Sequence, residues 1–483
     1  MSIRVVQRIL GLLLMIFSVT MLPALVVSIV FVDGEHGAFA SAFLITAVSG
    51  LILWFPVRRT KDELRLRDGF LVVAGFWIVL GLFGAAPLLL AEHLDMKPID
   101  AVFESMSGLT TTGATVLTGL DQLPKSILYY RQQLQWLGGM GIIVLAVAVL
   151  PMLGVGGMQL YRAETPGPVK DTKLTPRITE TAKALWYIYL GITVVCVLAY
   201  IAAGMTVFDA IGHGFSTVAI GGFSTHDASI GYFDSELIEM IAVVFMFIAG
   251  INFSLHFLGW RTATVANYLR DPEFRAFVTV LGSLTLLVTL YLYFAGYYPT
   301  LHEAFTKGIF QAVSIGTTTG FTTANYSAWP GSLPVALILA SFIGGCAGST
   351  GGGMKVIRWL LIYKQGVREV RQLVHPSAAI PVKIGSKAVP ERVIGAVWGF
   401  FAVYIVLFGF MMLLLLGTGL DQVTAFSAVA AALNNLGPGL GEVSSNFASL
   451  GVMAKSVSIA AMLLGRLEIF TLFVLFTPTF WQR

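Results

Sequence analysis

The chain has 483 residues, of which 56% are hydrophobic and 12% charged, with a mean hydropathy of +0.82 and a net charge of +4. Soluble domains carry about 25% charged residues, so the composition excludes one and makes the span of about 20 apolar residues the unit of reading. Two cysteines, Cys196 and Cys346, exclude a disulfide framework, and no basic run is interleaved with aromatics as nucleic-acid binding would require.

The first apolar run, 9–32, follows Arg4 and Arg8. It exceeds the apolar core of a signal peptide and is read as a retained span. A second span covers 38–57, after the turn Asp33-Gly34-Glu35, and a basic linker runs from Arg58 to Arg67. A three-part pattern then occurs four times: a full-length apolar span, a short half-apolar stretch ending in a glycine turn, and another full-length span. The spans fall at 69–91 and 127–153, 184–205 and 237–260, 274–297 and 333–363, and 393–417 and 452–476. The short stretches between them are 99–109, 208–217, 303–315 and 422–432. Repeats of this kind decide an architecture. The predicted fold is therefore an all-α polytopic membrane protein with four span–pore helix–span repeats around a pseudo-fourfold central pore. Its units are an N-terminal pair of spans (1–60) and repeats at 61–160, 161–265, 266–385 and 386–483.

The short stretches cannot cross the bilayer and are expected to be re-entrant, which lipid tolerates only for backbone buried in protein or facing a water-filled cavity. Asp100, Asp209, Glu303 and Asp421 stand near their starts, where a carboxylate caps free N–H groups and complements the helix dipole. Ten crossings place most of the 30 Lys and Arg on the side of the termini. Only Lys97, Lys125, Arg131, Lys307 and Lys455 fall opposite, with Arg466 inside a span. By the positive-inside rule both termini are cytoplasmic and the four turns enter from outside.

The turns carry the chemistry. They are Thr110-Thr111-Thr112-Gly113, Val218-Ala219-Ile220-Gly221-Gly222, Thr317-Thr318-Thr319-Gly320 and Asn434-Asn435-Leu436-Gly437. A monovalent cation enters a membrane when oxygen ligands replace its hydration shell, and filters supply rings of backbone carbonyls from several copies of one loop. Glycine lets those carbonyls point inward where a Cβ would obstruct them. No turn has Asp or Glu at its core, which favours a large monovalent ion over a divalent one. The Thr hydroxyls either add oxygens or brace the loop. The set is asymmetric, with Ile220 and Leu436 read as standing where the third repeat has Thr319.

With these four turns, four repeats and an extra N-terminal pair of spans, nearly the whole chain resembles the TrkH/KtrB/HKT superfamily of potassium transporters, and its bacterial TrkH branch in particular. The resemblance implies a single-chain pseudo-tetramer with one K⁺ path, a homodimer with two separate pores, and a place in the bacterial cytoplasmic membrane. Plant relatives that prefer Na⁺ often carry Ser at the first filter glycine, so Gly113 points to K⁺. The resemblance also implies a peripheral nucleotide-binding partner of the TrkA/KtrA kind. No cofactor is expected in this chain, K⁺ being the transported ion; it has no Walker motif and no dinucleotide-binding βαβ unit.

The trailing span of the third repeat is interrupted by Gly344-Gly345-Cys346-Ala347-Gly348-Ser349-Thr350-Gly351-Gly352-Gly353. Each glycine costs a helix about 1 kcal/mol relative to Ala, so this stretch is expected to be an intramembrane loop below the filter rather than a packing kink. In the resembling family the corresponding loop is the gate. Arg466 is either a structural partner of Glu468 or a charge beside the pore, the position that resembling members give an arginine in this helix. His213, His226 and His256 lack metal-ligand spacing and are expected in core or surface roles. Asp227, Asp234, Glu236 and Glu239 either attract cations to the mouth or belong to a solvated loop. The basic segments from Arg162 to Lys183 and from Lys355 to Arg392 are docking surfaces for the partner or meet anionic lipid. The main reading is K⁺ conduction, and the alternative is an alternating-access symporter coupled to H⁺ or Na⁺. No nucleophile–base pair supports an enzyme.

Overall fold

Four short helices organise the computed structural model, which describes residues 3–60, 66–141 and 178–481. They are Pro98–Leu109, Val207–Val218, Leu301–Gly316 and Gln422–Leu433, each starting and ending within two residues of the predicted stretch. With a rise of about 1.5 Å per residue none can cross a hydrocarbon core of about 30 Å. Their starts differ from the expectation that each acid is a cap. Only Asp421 caps its helix directly, accepting from the N–H groups of Val423 and Thr424. In the second and third repeats Thr206 and Thr300 are the caps, and the acid lies three residues on, as in a capping box. In the first repeat Lys97 holds the cap position without a side-chain bond, and Asp100 instead takes Lys455 Nζ at 2.6 Å.

The spans that lead into the pore helices are long and apolar: Leu66–Gly84 continuing to Leu90, Ile178–Ala202, Pro272–Phe294 and Glu391–Leu416. The trailing helices are all interrupted, whereas only the third was expected to be. The first, Lys125–Trp136, passes into a π-helical turn at Leu137–Gly141, and the rest of the expected 127–153 span lies outside the described residues. The second bends by 93° between Glu236–Ala249 and Phe253–Thr262, and the fourth by 111° between Val452–Arg466 and Phe470–Phe476. The third stops at Ser341 and resumes at Val356. The bends follow from close approach to the pore helices and the interrupted loop. A Cβ on Gly465 would lie 2.1 Å from the carbonyl of Leu433, and one on Gly138 would lie 1.8 Å from that of Leu109. These two leucines end their pore helices. At the second bend the freed carbonyl of Gly250 accepts from Cys346 N–H at 2.9 Å.

The N-terminal pair, Ile3–Val19 with Leu22–Phe31 and His36–Trp54, packs on the first repeat in one apolar cluster that includes Phe17, Phe39, Trp77 and Leu134. Gly11 and Gly50 face each other closely enough that a Cβ on either would meet the other's carbonyl oxygen below 3.0 Å, the small-residue contact common between membrane helices. The basic segment from Arg162 to Lys183, residues 61–65 of the linker and Arg483 lie outside the described residues, apart from Lys183 and its neighbours from Ile178.

Three of the five cations on the side opposite the termini are neutralised within the fold. Arg131 pairs with Glu104, Lys307 with Glu239 and Lys455 with Asp100, each at 2.6 Å. Glu239 is thus committed to Lys307, and Glu236 bonds to His302 at 3.1 Å. Asp227 takes the N–H of Leu120 at 3.0 Å.

Candidate functional site: a ring of four turns

Each pore helix ends in the same Schellman motif. The N–H groups of Thr112, Gly221, Thr319 and Leu436 reach back to the carbonyls of Ser107, Ser216, Ser314 and Ala431 at 2.9, 2.8, 2.7 and 2.8 Å. Those of Thr111, Ile220, Thr318 and Asn435 reach Gly108, Thr217, Ile315 and Ala432 at 3.0–3.2 Å. The left-handed position is filled by Thr111, Ile220, Thr318 and Asn435, with φ of 55°, 53°, 70° and 53°. Three of these are β-branched, and such residues are rare at positive φ. Strain of that kind persists only where surrounding structure imposes it. The motif also fixes the register between repeats. Ile220 matches Thr318, not Thr319; Gly221 and Leu436 match Thr319.

Two residues after each left-handed position stands the turn glycine, at φ of 79°, 80°, 86° and 100° for Gly113, Gly222, Gly320 and Gly437. A Cβ on Gly113 would lie 2.0 Å from the carbonyl oxygen of Gly221. One on Gly222 would lie 2.1 Å from that of Thr319, one on Gly320 2.1 Å from that of Leu436, and one on Gly437 2.8 Å from that of Thr112. Each turn therefore abuts the next at an equivalent carbonyl, and the fourth abuts the first. The ring is closed. All four glycines line one cavity of about 430 Å³ on the side away from the glycine-rich loop, together with Arg131 and His226.

The turn residues Thr110–Thr112, Ala219–Ile220, Thr317–Thr319 and Asn434–Leu436 are buried. Among the described residues no hydrogen bond goes to the carbonyls of 110–113 or 317–320. Buried carbonyls are nearly always paired, so these oxygens suit a ligand that enters the ring. Three others are already committed: Val218 takes Thr350 Oγ1 at 2.9 Å, Gly221 takes Gln135 Nε2 at 2.6 Å, and Asn434 takes Gly353 N–H at 3.0 Å. The Thr hydroxyls brace. Thr110 and Thr112 share a 2.8 Å bond, as do Thr317 and Thr319, while Thr110 and Thr317 also bond back to their helices. The second repeat has no such pair and uses Gln135, which also accepts from Phe223 N–H at 3.0 Å. The fourth uses Asn434, held by Tyr404 and by Ser341 at 2.9 Å. Gln135 and Tyr404 were missed from sequence. Three glutamines in the helix 125–136, at the start of an expected span, were the signal available for the first.

The loop between Ser341 and Val356 lies under the ring and touches three of its turns. Besides the Thr350–Val218 and Gly353–Asn434 bonds, Gly352 N–H donates to Thr318 Oγ1 at 2.7 Å. Gly344, Gly348 and Gly353 have φ of 70°, 71° and 74°. Lys355 Nζ donates to the carbonyl of Gly351 at 2.7 Å, and Glu273 takes the N–H groups of Ala347 and Ile357 at 2.7 and 3.1 Å. Gly345 accepts from Val356 N–H at 3.0 Å, and Ser349 Oγ bonds to Cys346. Arg466 reaches the fourth side: Nη1 lies 3.3 Å from both Thr111 Oγ1 and the carbonyl of Thr350, and Nη2 donates to the carbonyls of Gly138 and Gly139 at 2.5 and 2.8 Å. Glu468 pairs with Arg358 instead, whose guanidinium stacks 4.2 Å over Phe400. The reading of Arg466 and Glu468 as one buried pair is thereby replaced.

Comparison to known proteins gives the family. Residues 35–483 match the family described as TrkH: Cation transport protein. The chain belongs to the TrkH family. Its relatives include the Trk system potassium uptake protein TrkH of Halomonas elongata, 59% identical over 483 residues covering all of both chains. The protein of the same name from Escherichia coli K12 is 55% identical over 483 residues, again covering both chains fully. The crystal structure of the potassium transporter TrkH from Vibrio parahaemolyticus is similar over the whole of both chains, with a TM-score of 0.91 and 55% identity. The TrkH family is one of multi-pass membrane transporters.

Proposed function

We propose that this protein takes up K⁺ across the bacterial cytoplasmic membrane through the ring of turns. The observation that carries the reading is the closed ring, in which buried carbonyls that take no hydrogen bond from the described residues surround one axis. The carbonyls of 110–113 and 317–320, with those of Ala219, Ile220, Gly222, Asn435, Leu436 and Gly437, replace the hydration shell of the ion. Residues 345–353 are the gate, and the conformation described here is the closed one, since the loop bonds to turns on three sides. Arg466 adds a positive charge beneath the ring, where a cation meets a barrier. The termini face the cytoplasm, as the positive-inside rule requires, so the cavity faces outside. Inward flow is driven by membrane potential, worth about 2.3 kcal/mol per charge per 100 mV.

The protein works as a homodimer with two pores. A nucleotide-binding subunit of the TrkA/KtrA kind docks on the cytoplasmic basic surface, which includes the helix Val356–Val374; the word "system" in the relatives' names is in keeping with a partner. Purified protein in liposomes, with and without that partner, tests the proposal. Expected is a K⁺-selective current that follows the applied potential and changes with the partner's nucleotide. A K⁺ flux that carries a fixed H⁺ or Na⁺ stoichiometry and shows no unitary current would replace conduction by symport.

A further inference from the structure

The pore-helix position seven residues before each left-handed turn residue is occupied by Glu104, His213, Gln311 and Ala428. From this level each repeat sends a strap to the segment rising from its turn glycine. His213 Nε2 bonds to Ser224 Oγ at 2.8 Å, Gln311 Nε2 donates to the carbonyl of Ala324 at 3.3 Å, and the neighbouring Ser427 Oγ takes Leu440 N–H at 2.7 Å. At this level of the pore helices, among the described residues, only the first strap is ionic. Glu104 accepts from Val116 N–H at 2.9 Å and from Thr115 Oγ1 at 2.9 and 3.1 Å, and it pairs with Arg131 at 2.6 Å.

Arg131 then crosses between repeats. Nη2 donates to Thr115 Oγ1 at 3.0 Å, Nη1 donates to the carbonyl of Ser224 at 3.3 Å, and Cζ lies 4.2 Å over the ring of Phe223. Thr115 and Ser224 each lie two residues beyond a turn glycine, Gly113 and Gly222. The two charged side chains are 1% and 0% exposed. A pair so placed in a membrane protein is costly to keep and is a functional candidate by default. A guanidinium is suited to it because its planar fork reaches several acceptors at once, which an ammonium on one stem cannot do.

We propose that Arg131, anchored by Glu104, is a positioning residue for cation discrimination, holding the outer ends of the first and second turns at a fixed separation. This rests on the reading of the ring as the filter. Neither side chain belongs to the turns; both act through Thr115 and Ser224. The ring is thus tied rigidly on one side, between repeats that differ in their turn bracing, while the third and fourth turns have only neutral straps.

The test is the K⁺/Na⁺ ratio from reversal potentials of full-length protein in liposomes, for Arg131→Lys, Arg131→Met and Thr115→Val, with Gly437→Ala as the reference filter variant and thermal unfolding measured for each. Arg131→Lys keeps the charge pair but not the fork, so its melting temperature stays near that of the parent while its ratio falls. Thr115→Val keeps the ion pair and the Glu104–Val116 bond, and removes the hydroxyl that joins both charged side chains to the first turn together with its 3.1 Å bond from Leu117 N–H. Expected is a fall in the ratio of about fivefold to tenfold in both, the factor that one net hydrogen bond commands. If both fold and keep the parental ratio while Gly437→Ala changes it, the positioning role is wrong. If Gly437→Ala also leaves the ratio unchanged, the filter reading falls with it. Should Arg131→Met fail to fold, Thr115→Val decides alone.

Discussion

Replacement of Thr350 by valine isolates the bond that latches the loop to the second repeat. Thr350 is fully buried, and its Oγ1 donates to the carbonyl of Val218 at 2.9 Å and approaches that of Ala249 at 3.4 Å. Valine has the same branching but no donor, so Thr350→Val leaves the Val218 carbonyl buried without its partner. Losing the bond costs about 1 kcal/mol, and leaving the carbonyl unsatisfied costs up to about 3 kcal/mol. If the bond exists only when the loop is closed, that energy moves the closed–open equilibrium by about fivefold to about 150-fold, at 1.4 kcal/mol per decade. Open fraction from single-channel recording, or tracer flux into liposomes without the regulatory partner, reads the shift. Thr350→Ser restores the donor and is expected near the parent. A folded Thr350→Val protein with the parental open fraction, or a serine variant as leaky as the valine one, would refute the latch.

Arg466→Ala removes the hydrogen bonds to Thr111, Gly138, Gly139 and Thr350 beneath the ring along with the charge, and is expected to raise K⁺ flux in liposomes; unchanged or lower flux in a folded protein would count against the barrier. Gly222→Ala adds a methyl 2.1 Å from the Thr319 carbonyl at φ 80°, whereas Gly204→Ala at φ 103° meets nothing within 4 Å. The second should cost about 1–2 kcal/mol of backbone strain, and the first should lower the melting temperature further and impair ion discrimination. Equal effects of the two on melting and selectivity would show that the close contact in the ring is unimportant. His226 lies in the loop above the ring. Burial opposes its charging, but the 2.5 Å bond to Asp121 and the carboxylate of Asp209 3.5 Å away prevail and raise its pKa above the ordinary 6.5. A raised folded-state value gives stability that is complete below pH 6.5 and lost as pH rises through that value. The melting temperature of the parent should therefore fall relative to His226→Gln as pH rises above 6.5, and a difference independent of pH would reject the charged clamp.

Local chemistry wrote the pore helices and their turns into the sequence. Hydropathy marks stretches too short to span, and glycine recurs where backbone must approach backbone, so all four short helices could be placed to within two residues. The Gly344–Gly353 break was equally legible, because so many glycines cannot hold a helix. Three matters were left to the tertiary structure. The left-handed position is a backbone state that Thr, Ile and Asn share here, so residue type could not align Ile220 with Thr318. The bends at Gly250 and after Arg466 interrupt apolar helices of ordinary composition, and arise from contacts with the loop and with the end of a pore helix. The partners of the buried charges depend on which helices meet: Arg358 rather than Arg466 takes Glu468, and Arg131 finds Glu104 across 27 residues of chain. Composition thus fixes that a charge must be compensated in lipid, but only the packing of distant segments decides which group compensates it.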